Sequence, residues 1–329
     1  MPRRRSSSRR SSSSRPPQLR GKALVIVVAL VALGWAAVQA HEAGWIDLGP
    51  VYELLTGREP APRPDEPEGE GPQVPGPAGD GTLRLVSWNI ANMGGSKDAA
   101  EIAVMADVLA PAADVVAIQE VITSEPGQDA VVRLATTLRQ RGGTWDWVIS
   151  EPTSGRGSER YAFLWRTDRV RLDGPCRLDD VLAPQVDREP FLCAFTTGGE
   201  PVLVASFHAV PSSKDPEREN ALLDGLDRRY DAADLVIVGD FNLPARHSAF
   251  DALRARGFED ALGDALTTLK AVRTPAGEHR ANPYDHVFYE TDELAVRRAE
   301  VLDFAARYAD LREARNVSDH LPVLVELER

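Results

Sequence analysis

Residues 235–242 read LVIVGDFN, a short apolar run that ends in polar residues. The run at 235–239 has the length and the β-branched content of a buried strand. Asp240 and Asn242 come at the point where such a strand leaves its sheet. In open α/β sheets, ligands bind at the carboxyl ends of the strands, where the loops converge. The stretch therefore predicts an α/β fold with a functional site at one edge of the sheet.

Outward along the chain, five more predicted strands carry polar residues at or near their ends. These are Ser87-Trp88-Asn89, Ile118-Gln119-Glu120, Ser206-Phe207-His208, Tyr284-Asp285-His286 and Ser318-Asp319-His320. One Asp or His in such a place is usually a cap or a turn residue. Six sites of this kind in one domain favour a single catalytic centre.

The region from residue 82 onward alternates short apolar runs with amphipathic stretches. The runs predict strands at residues 83–90, 115–119, 145–149, 161–166, 202–208, 235–239, 285–289 and 321–328. Apolar positions that recur every three or four residues predict helices at residues 98–109, 128–141, 216–229 and 248–256. About 250 residues of alternating elements favour one domain with sheet inside and helices outside.

The first 81 residues predict three segments. Residues 1–22 are rich in Arg and Ser and contain no acid, so we expect a disordered cytoplasmic tail. Residues 23–40 carry no charge and would span roughly 27 Å as a helix, which matches the hydrocarbon core of a bilayer. Residues 41–81 form a juxtamembrane and Pro/Gly-rich linker, and residues 82–329 form the catalytic domain.

Residues 23–40 allow more than one interpretation. The basic flank predicts a membrane anchor with everything after it outside the cytoplasm. Val38-Gln39-Ala40 also fits a small-residue cleavage site, which would release a secreted protein. A buried helix of a soluble protein is a third reading, but it explains neither the Arg run nor the linker.

The charge is unevenly distributed along the chain. The net charge is −12; residues 1–81 hold 10 Lys and Arg against 9 Asp and Glu, which leaves 28 against 41 in residues 82–329. An acidic domain has no long-range attraction for nucleic acid, so local Arg, Lys and metal would have to hold a polyanionic substrate.

The residue types at the strand ends suit the hydrolysis of a phosphodiester. Asn89, Glu120 and Asp319 offer the oxygen donors that Mg²⁺ prefers. Histidines titrate near neutral pH, so two of them can act as base and acid. The chain has no GxSxG motif and no glycine-rich phosphate loop, which argues against serine hydrolases and nucleotide kinases.

The ordered series SWNI, IQE, SERYAFLWR, FHAVP, GDFN, YDH and SDH resembles the endonuclease/exonuclease/phosphatase superfamily, and most closely its deoxyribonuclease I branch. The resemblance covers about residues 83–327. It implies a four-layer α/β/β/α sandwich and a phosphodiester hydrolase that uses Mg²⁺, with Mn²⁺ or Ca²⁺ as substitute or assistant. It also implies in-line attack of water on phosphorus.

The resemblance assigns roles to the catalytic residues. It implies two histidine–carboxylate pairs, one histidine serving as base and the other as acid, and a further pair that handles the water and the scissile phosphate. These are His208 with Glu159, His320 with Asp285, and Asp240 with Asn242.

The resemblance also places the metal and the substrate. Asn89 and Glu120 match the metal site, and Asp319 adds a carboxylate beside the ion. Arg188, in the sequence DREP, and Thr268 match residues that contact phosphate, and Arg160 lies beside a predicted site residue.

Several functions and one bond stay open. The leading hypothesis is a nuclease acting on nucleic acid outside the cytoplasm. The alternative is a phosphodiesterase or phosphatase for a lipid headgroup or a sugar phosphate. A catalytically dead binding module would have lost some of the polar residues. Cys176 and Cys193 form either one disulfide or two buried thiols. We infer no obligate protein partner.

Overall fold

The computed structural model describes residues 81–230 and 234–329. The predicted tail, the hydrophobic segment 23–40 and the linker up to residue 80 lie outside the described residues. Within the described part, no helix combines the length and the apolarity needed to cross a bilayer.

The secondary structure of the described part follows the predicted alternation. The strands are β1 (Leu83–Met93), β2 (Val115–Val121), β3 (Trp145–Ile149), β4 (Arg160–Arg166), β5 (Arg171–Leu172), β6 (Arg177–Leu178), β7 (Phe191–Thr196), β8 (Val202–His208), β9 (Asp234–Asp240), β10 (Phe258–Asp260), β11 (Asp285–Glu290), β12 (Ala295–Val301) and β13 (Val323–Glu328). The α-helices are α1 (Ala99–Ala112), α2 (Glu125–Arg141), α3 (Pro216–Asn220), α4 (Leu226–Arg229), α5 (Asp251–Arg254) and α6 (Leu311–Val317). Short 3-10 helices lie at Ser212–Lys214, Leu223–Gly225, Ser248–Phe250 and Phe304–Arg307.

The strands form two sheets. The first has the order β12-β13-β1-β2-β4-β3, and the second has the order β10-β11-β9-β8-β7-β5, with β6 also paired to β7. Each sheet has one parallel pair near its centre, β1 with β2 and β8 with β9. The carboxyl ends of the two strands of each parallel pair therefore lie at the same edge of their sheet.

Both faces of each sheet are covered, because successive side chains of a strand point in opposite directions. In β1, Leu85 packs into the core between the two sheets, whereas Val86 and Trp88 pack against the helices α1 and α2. In β9, Val236 enters the same central core, and Ile237 packs on the outer side among residues near α4 and α5. The structure is thus the predicted four-layer α/β/β/α sandwich.

Two predicted helices are wrong in their extent. Residues 216–229 form α3, a 3-10 turn and α4 in place of one helix. Asn220 donates its side-chain amide to the carbonyl oxygens of Pro216 and Phe241, and asparagine and glycine weaken a helix interior. Residues 248–256 likewise begin as a 3-10 turn before α5.

Cys176 and Cys193 form a disulfide. Of the two alternatives left open by the sequence, the structure has the bonded form. The bond fastens the segment before β7 to that strand, since Cys193 lies in β7 and is buried.

Candidate active site

His208 and Glu159 form a buried pair. His208 is the last residue of β8, and Glu159 directly precedes β4. The His208 Nδ1 atom lies 2.9 and 3.1 Å from the two carboxylate oxygens of Glu159. The backbone N–H of His208 donates to the Tyr161 hydroxyl at 3.1 Å. These contacts fix the imidazole with Nε2 as the nitrogen that remains for chemistry.

His320 and Asp285 form the second pair. His320 Nδ1 lies 2.8 Å from Asp285 Oδ2, which also accepts a 2.7 Å hydrogen bond from the Thr267 hydroxyl. The Trp88 indole N–H donates to the carbonyl oxygen of His320 at 2.9 Å. Asp285 and Thr267 are fully buried, so the groups that hold Nδ1 of His320 have no access to solvent.

Asp240 joins the two pairs. Its Oδ2 lies 3.5 Å from Nε2 of His208 and 3.5 Å from Nε2 of His320. The strand register explains the meeting, because Asp240 is directly opposite both His208 and Asp285 in the second sheet. The Asn89 side chain donates to the same Oδ2 at 3.1 Å, which ties the first sheet to this point.

Strained backbone positions present two of these side chains. Glu120 has φ 61° and Asn242 has φ 52°, both in the left-handed region that residues other than glycine rarely adopt. The Asn242 N–H donates to Asp240 Oδ1 at 3.0 Å, and its side chain donates to the carbonyl of Ala209 at 3.2 Å. Such conformations persist where surrounding contacts impose them and concentrate at functional sites.

Asn89 and Glu120 lie side by side in the carboxyl-terminal halves of β1 and β2. The Asn89 amide donates to Glu120 Oε1 at 3.0 Å, and the Asn92 N–H donates to Glu120 Oε2 at 2.8 Å. Glu120 lines a cavity of about 410 Å³ that also reaches Glu159 and Arg188. Within the described residues, its carboxylate has no Lys or Arg ion-pair partner at 4.0 Å or less.

This donor set fits a hard divalent cation. Mg²⁺ takes one or two protein carboxylates and keeps several waters, and the half-buried carboxylate of Glu120 suits that demand. The Asn89 amide turns its nitrogen toward Glu120, and its Oδ1 accepts the N–H of Ala91 at 3.0 Å. Among the described residues, no three or more His, Cys, Asp or Glu side chains form a ready-made cage. Asp319 is engaged elsewhere, with Arg315 Nη2 at 3.1 Å from its Oδ2. The metal-binding roles of all three residues stay predictions.

Both histidines have raised pKa values. Burial by itself lowers the pKa of His320, but the negative charges of Asp285 and Asp240 outweigh it and raise the pKa to about 10. Burial likewise opposes protonation of His208, and the Glu159 carboxylate raises its pKa in spite of the neighbouring Arg188 guanidinium. In the metal-free site, His320 is protonated at neutral pH.

The three predicted substrate contacts lie close to the site but are partly engaged by the protein. Arg188 is 7% exposed; its guanidinium donates to the carbonyl oxygens of His208 and Ala209 and lies 3.5 Å from Glu159. Arg160 donates to the carbonyl of Ser150 at 2.9 Å. Thr268 pairs with His320 in an isolated bridge and is 7% exposed. Phosphate binding by these residues stays a prediction.

Sequence reasoning missed several groups that support the site. The Thr267 hydroxyl donates to Asp285, a bond that only the fold reveals. Ser318 donates to the carbonyl of Asn89 at 2.6 Å, and Gln119 donates to Ser206 at 2.8 Å, across the two sheets. The neighbourhood of polar residues at strand ends was the signal, since Gln119, Ser206 and Ser318 each precede a predicted site residue within two positions.

Comparisons with known proteins agree with this geometry. The model of the Endonuclease/Exonuclease/phosphatase family matches residues 86–320. A deoxyribonuclease of Thioalkalivibrio sp. (strain K90mix) is 31% identical over 271 residues, 75% of this chain and 71% of that protein. Deoxyribonuclease-1 of Canis lupus familiaris is 30% identical over 272 residues, 75% of this chain and 92% of that protein. Among solved structures, a mannosyl-6-phosphatase of Bacteroides thetaiotaomicron has a TM-score of 0.56 and 20% identity, covering 75% of this chain and 100% of that one.

Proposed function

The chain belongs to the endonuclease/exonuclease/phosphatase family, in its deoxyribonuclease I-like branch, and from this premise we propose that it is a divalent-metal-dependent endonuclease acting on DNA outside the cytoplasm. The family and the deoxyribonuclease relatives support the more general statement that the chain is a hydrolase of phosphate esters.

One observation carries the proposal: two carboxylate-oriented histidines direct their Nε2 atoms at one buried carboxylate, each at 3.5 Å from Asp240 Oδ2. A phosphodiester bound between them has a proton acceptor on one side and a proton donor on the other. One imidazole takes the proton of the attacking water as the new O–P bond forms. The other gives a proton to the alkoxide as the old P–O bond breaks.

Each partner carboxylate has a defined task in this reaction. Glu159 and Asp285 hold Nδ1 of their histidines, which fixes the tautomer and stabilises the imidazolium form. Asp240 and Asn242 border the point where the imidazoles face each other, so they orient the water and the scissile phosphate. The burial of Asp240, which is 2% exposed, excludes bulk water and strengthens its charge interactions.

Asn89 and Glu120 would hold Mg²⁺, with Asp319 adding negative charge nearby. When bound, the ion neutralises charge on the phosphate and favours departure of the leaving oxygen. The acidity of residues 82–329 is consistent with a cation in the site, because nothing else of long range would draw a polyanion to it. Mn²⁺ or Ca²⁺ would substitute or assist.

Two findings support DNA and an extracytoplasmic location. Two relatives at 30% and 31% identity are named deoxyribonucleases. The Cys176–Cys193 disulfide suits an oxidising compartment, since thiols in the cytosol are kept reduced. Arg188, Arg160 and Thr268 lie next to the site and are the proposed contacts to the DNA backbone.

The test is a substrate panel with the purified chain. We expect plasmid DNA to be nicked and degraded with Mg²⁺ or Mn²⁺, and EDTA to stop the reaction. His208→Ala and His320→Ala should each lower turnover by at least about 10²-fold, the usual scale of general acid–base catalysis. The panel includes RNA, sphingomyelin, an inositol phosphate and mannose 6-phosphate. Hydrolysis of a lipid or sugar phosphate with DNA untouched would replace the nuclease proposal by the alternative, a headgroup or sugar phosphatase of the same family.

A further inference from the structure

Lys97 is a buried lysine close to the site, and the mechanism above gives it no task. It lies in the loop between β1 and α1 and is 4% exposed. Its ammonium donates to the carbonyl oxygens of Asn316 at 2.9 Å and Val317 at 3.0 Å. Lysine is almost never fully buried unless its charge is paired or hydrogen-bonded, so this placement needs a reason.

The two carbonyls end α6, immediately before the site segment that begins at Ser318. The last carbonyl groups of a helix have no partner within the helix, and together they carry the negative end of its dipole. An ammonium group placed there satisfies two of them and complements their charge. Lys97 therefore fixes where α6 stops and where the chain continues toward His320.

A second contact fixes the same segment to β1. The Ser318 hydroxyl donates to the carbonyl of Asn89 at 2.6 Å and accepts the N–H of His320 at 2.9 Å. Lys97 follows β1 by four residues, and its own N–H donates to the carbonyl of Gly94 at 3.1 Å. β1 and the loop that follows it thus hold the His320 segment at two points, the Asn89 carbonyl and the Lys97 ammonium.

Negative side chains compensate the buried charge. Glu101, Asp319 and Glu120 act on the Lys97 ammonium, and burial, which by itself lowers its pKa, is partly offset by them. Two of these carboxylates belong to the predicted metal site. The positive charge of Lys97 is therefore placed among the acids of the site as well as at the end of α6.

We propose that Lys97 is a positioning residue that sets the placement of His320 relative to Asp240. Through the end of α6 and Ser318, it holds the imidazole at the distance that proton transfer requires. The kinetic part of this inference rests on the proposed nuclease function; the structural part does not.

Arg84 provides a matched control. It is a cation near the start of β1, whereas Lys97 lies just beyond the other end of that strand. Arg84 bonds Asp114, which is 2% exposed, with contacts of 2.9 and 2.7 Å. Arg84→Met removes a partly buried cation that bonds Asp114 and the carbonyl of Pro111. Lys97→Met removes the cation that bonds the end of α6, and the methionine side chain has nearly the length of the lysine.

The two variants are compared by plasmid cleavage at saturating Mg²⁺ and by thermal unfolding. Lys97→Met should lower kcat by about 10- to 100-fold with KM changed less than about threefold, because a small misplacement of a catalytic group costs turnover more than binding. Arg84→Met should lower the unfolding temperature and leave kcat within about twofold. Equal kcat for Lys97→Met and the wild type would overturn the proposal. If Lys97→Met does not fold, Lys97→Gln, which keeps an N–H donor without the charge, is read in its place.

A measurement without turnover separates this inference from the nuclease proposal. The imidazole ¹⁵N and ¹H signals of His320 are recorded in metal-free wild type, Lys97→Met and Arg84→Met. We expect the His320 signals to move in Lys97→Met alone, and those of His208 to stay in place. Signals of His320 that are unchanged in Lys97→Met would sink the proposal. A wild type that leaves DNA intact would sink the nuclease proposal while this comparison still decides the role of Lys97.

Discussion

At the scale of single residues, His320 shows how burial and charge compete. Its imidazole is largely buried, which disfavours the charged form, yet Asp285 lies 2.8 Å from Nδ1 and Asp240 lies 3.5 Å from Nε2. The effect of the two carboxylates exceeds that of burial, and the pKa of His320 rises to about 10. In the metal-free protein, we therefore expect an imidazolium that stays protonated well above neutral pH.

Asp285→Asn should lower the pKa of His320 from about 10 toward the ordinary value of 6.5, because it removes a negative charge that raises that pKa. An NMR titration of the metal-free protein measures this directly. Glu159→Gln is the control, since Glu159 contacts the other histidine and should leave His320 nearly unchanged. A His320 pKa that does not fall in Asp285→Asn would show that Asp285 is not the main source of the shift.

The same shift predicts a pH dependence of stability. A histidine whose folded pKa lies above its unfolded value stabilises the fold fully below about 6.5, and this contribution is lost as pH rises through about 10. The free energy of unfolding of the metal-free wild type should therefore fall between pH 6.5 and 10. Asp285→Asn should show a smaller fall over that range in urea titrations, and an equal fall in both would contradict the linkage.

At the scale of elements, the pairing of β8 with β9 leaves no room for a side chain at Gly239. Gly239 has φ 142°, and a Cβ atom there would lie 1.8 Å from the carbonyl oxygen of Phe207 in the neighbouring strand. That carbonyl is backbone and cannot rotate away. The two residues lie directly before Asp240 and His208, so the close approach of these strands brings two site residues together.

Gly239→Ala should therefore destabilise the fold by about 3 kcal/mol or more and reduce cleavage in whatever remains folded. Gly257→Ala is the matched control, because Gly257 has φ 91° but open space around the added carbon. It should cost only about 1 kcal/mol, the penalty of the positive φ alone. Equal losses for the two variants in urea unfolding would mean that the contact with Phe207 is not limiting.

The predicted elements show what a sequence pattern can and cannot supply. β1, β2, β8 and β9 have continuous apolar runs with polar ends, so these strands were predicted. The polar residues at their ends come together in the candidate site, and their catalytic roles stay predictions. β12 escaped prediction because it is a charged strand at the edge of its sheet, exposed over much of its length, and its sequence AVRRAEV has no apolar run. The helix predicted at residues 216–229 failed because tertiary contacts of Asn220 replaced helical ones.

The sequence predicts the histidines and carboxylates of the candidate site, but not the residues that hold them in place. The two histidines and their carboxylates follow from motifs whose order resembles a known family. The engagement of Arg188 with the carbonyls of His208 and Ala209 does not, since it depends on a loop 20 residues before β8 ends. Lys97, after Gly94-Gly95-Ser96, has the sequence surroundings of a solvated loop residue, and its carbonyl partners lie more than 200 positions away.

At the scale of the whole molecule, the acidic charge and the two-sheet architecture both bear on the candidate site. The two sheets present their carboxyl-end edges together, and this edge collects most of the functional carboxylates. A domain with 41 Asp and Glu against 28 Lys and Arg has no long-range attraction for a polyanion, so the proposed nuclease would need a bound cation and local guanidinium groups to hold DNA. Substrate binding should therefore depend on the metal more than on the general surface charge.

The Cys176–Cys193 disulfide acts on the whole domain through the unfolded state. It closes a loop of 17 residues, and cross-linking a loop of that length stabilises a protein by about 3 kcal/mol in the chain-entropy model. The loop carries Arg188, whose guanidinium holds the end of β8. Reduction should thus lower the free energy of unfolding of the domain by about 3 kcal/mol.

Urea unfolding with and without a thiol reductant measures this loss. The double variant Cys176→Ser with Cys193→Ser is the control, because it should unfold like the reduced wild type and show no response to the reductant. Its activity at low temperature should stay close to that of the wild type, since neither cysteine contacts the two histidines. Coincident transitions of oxidised and reduced wild type would show that the loop is ordered by its other contacts.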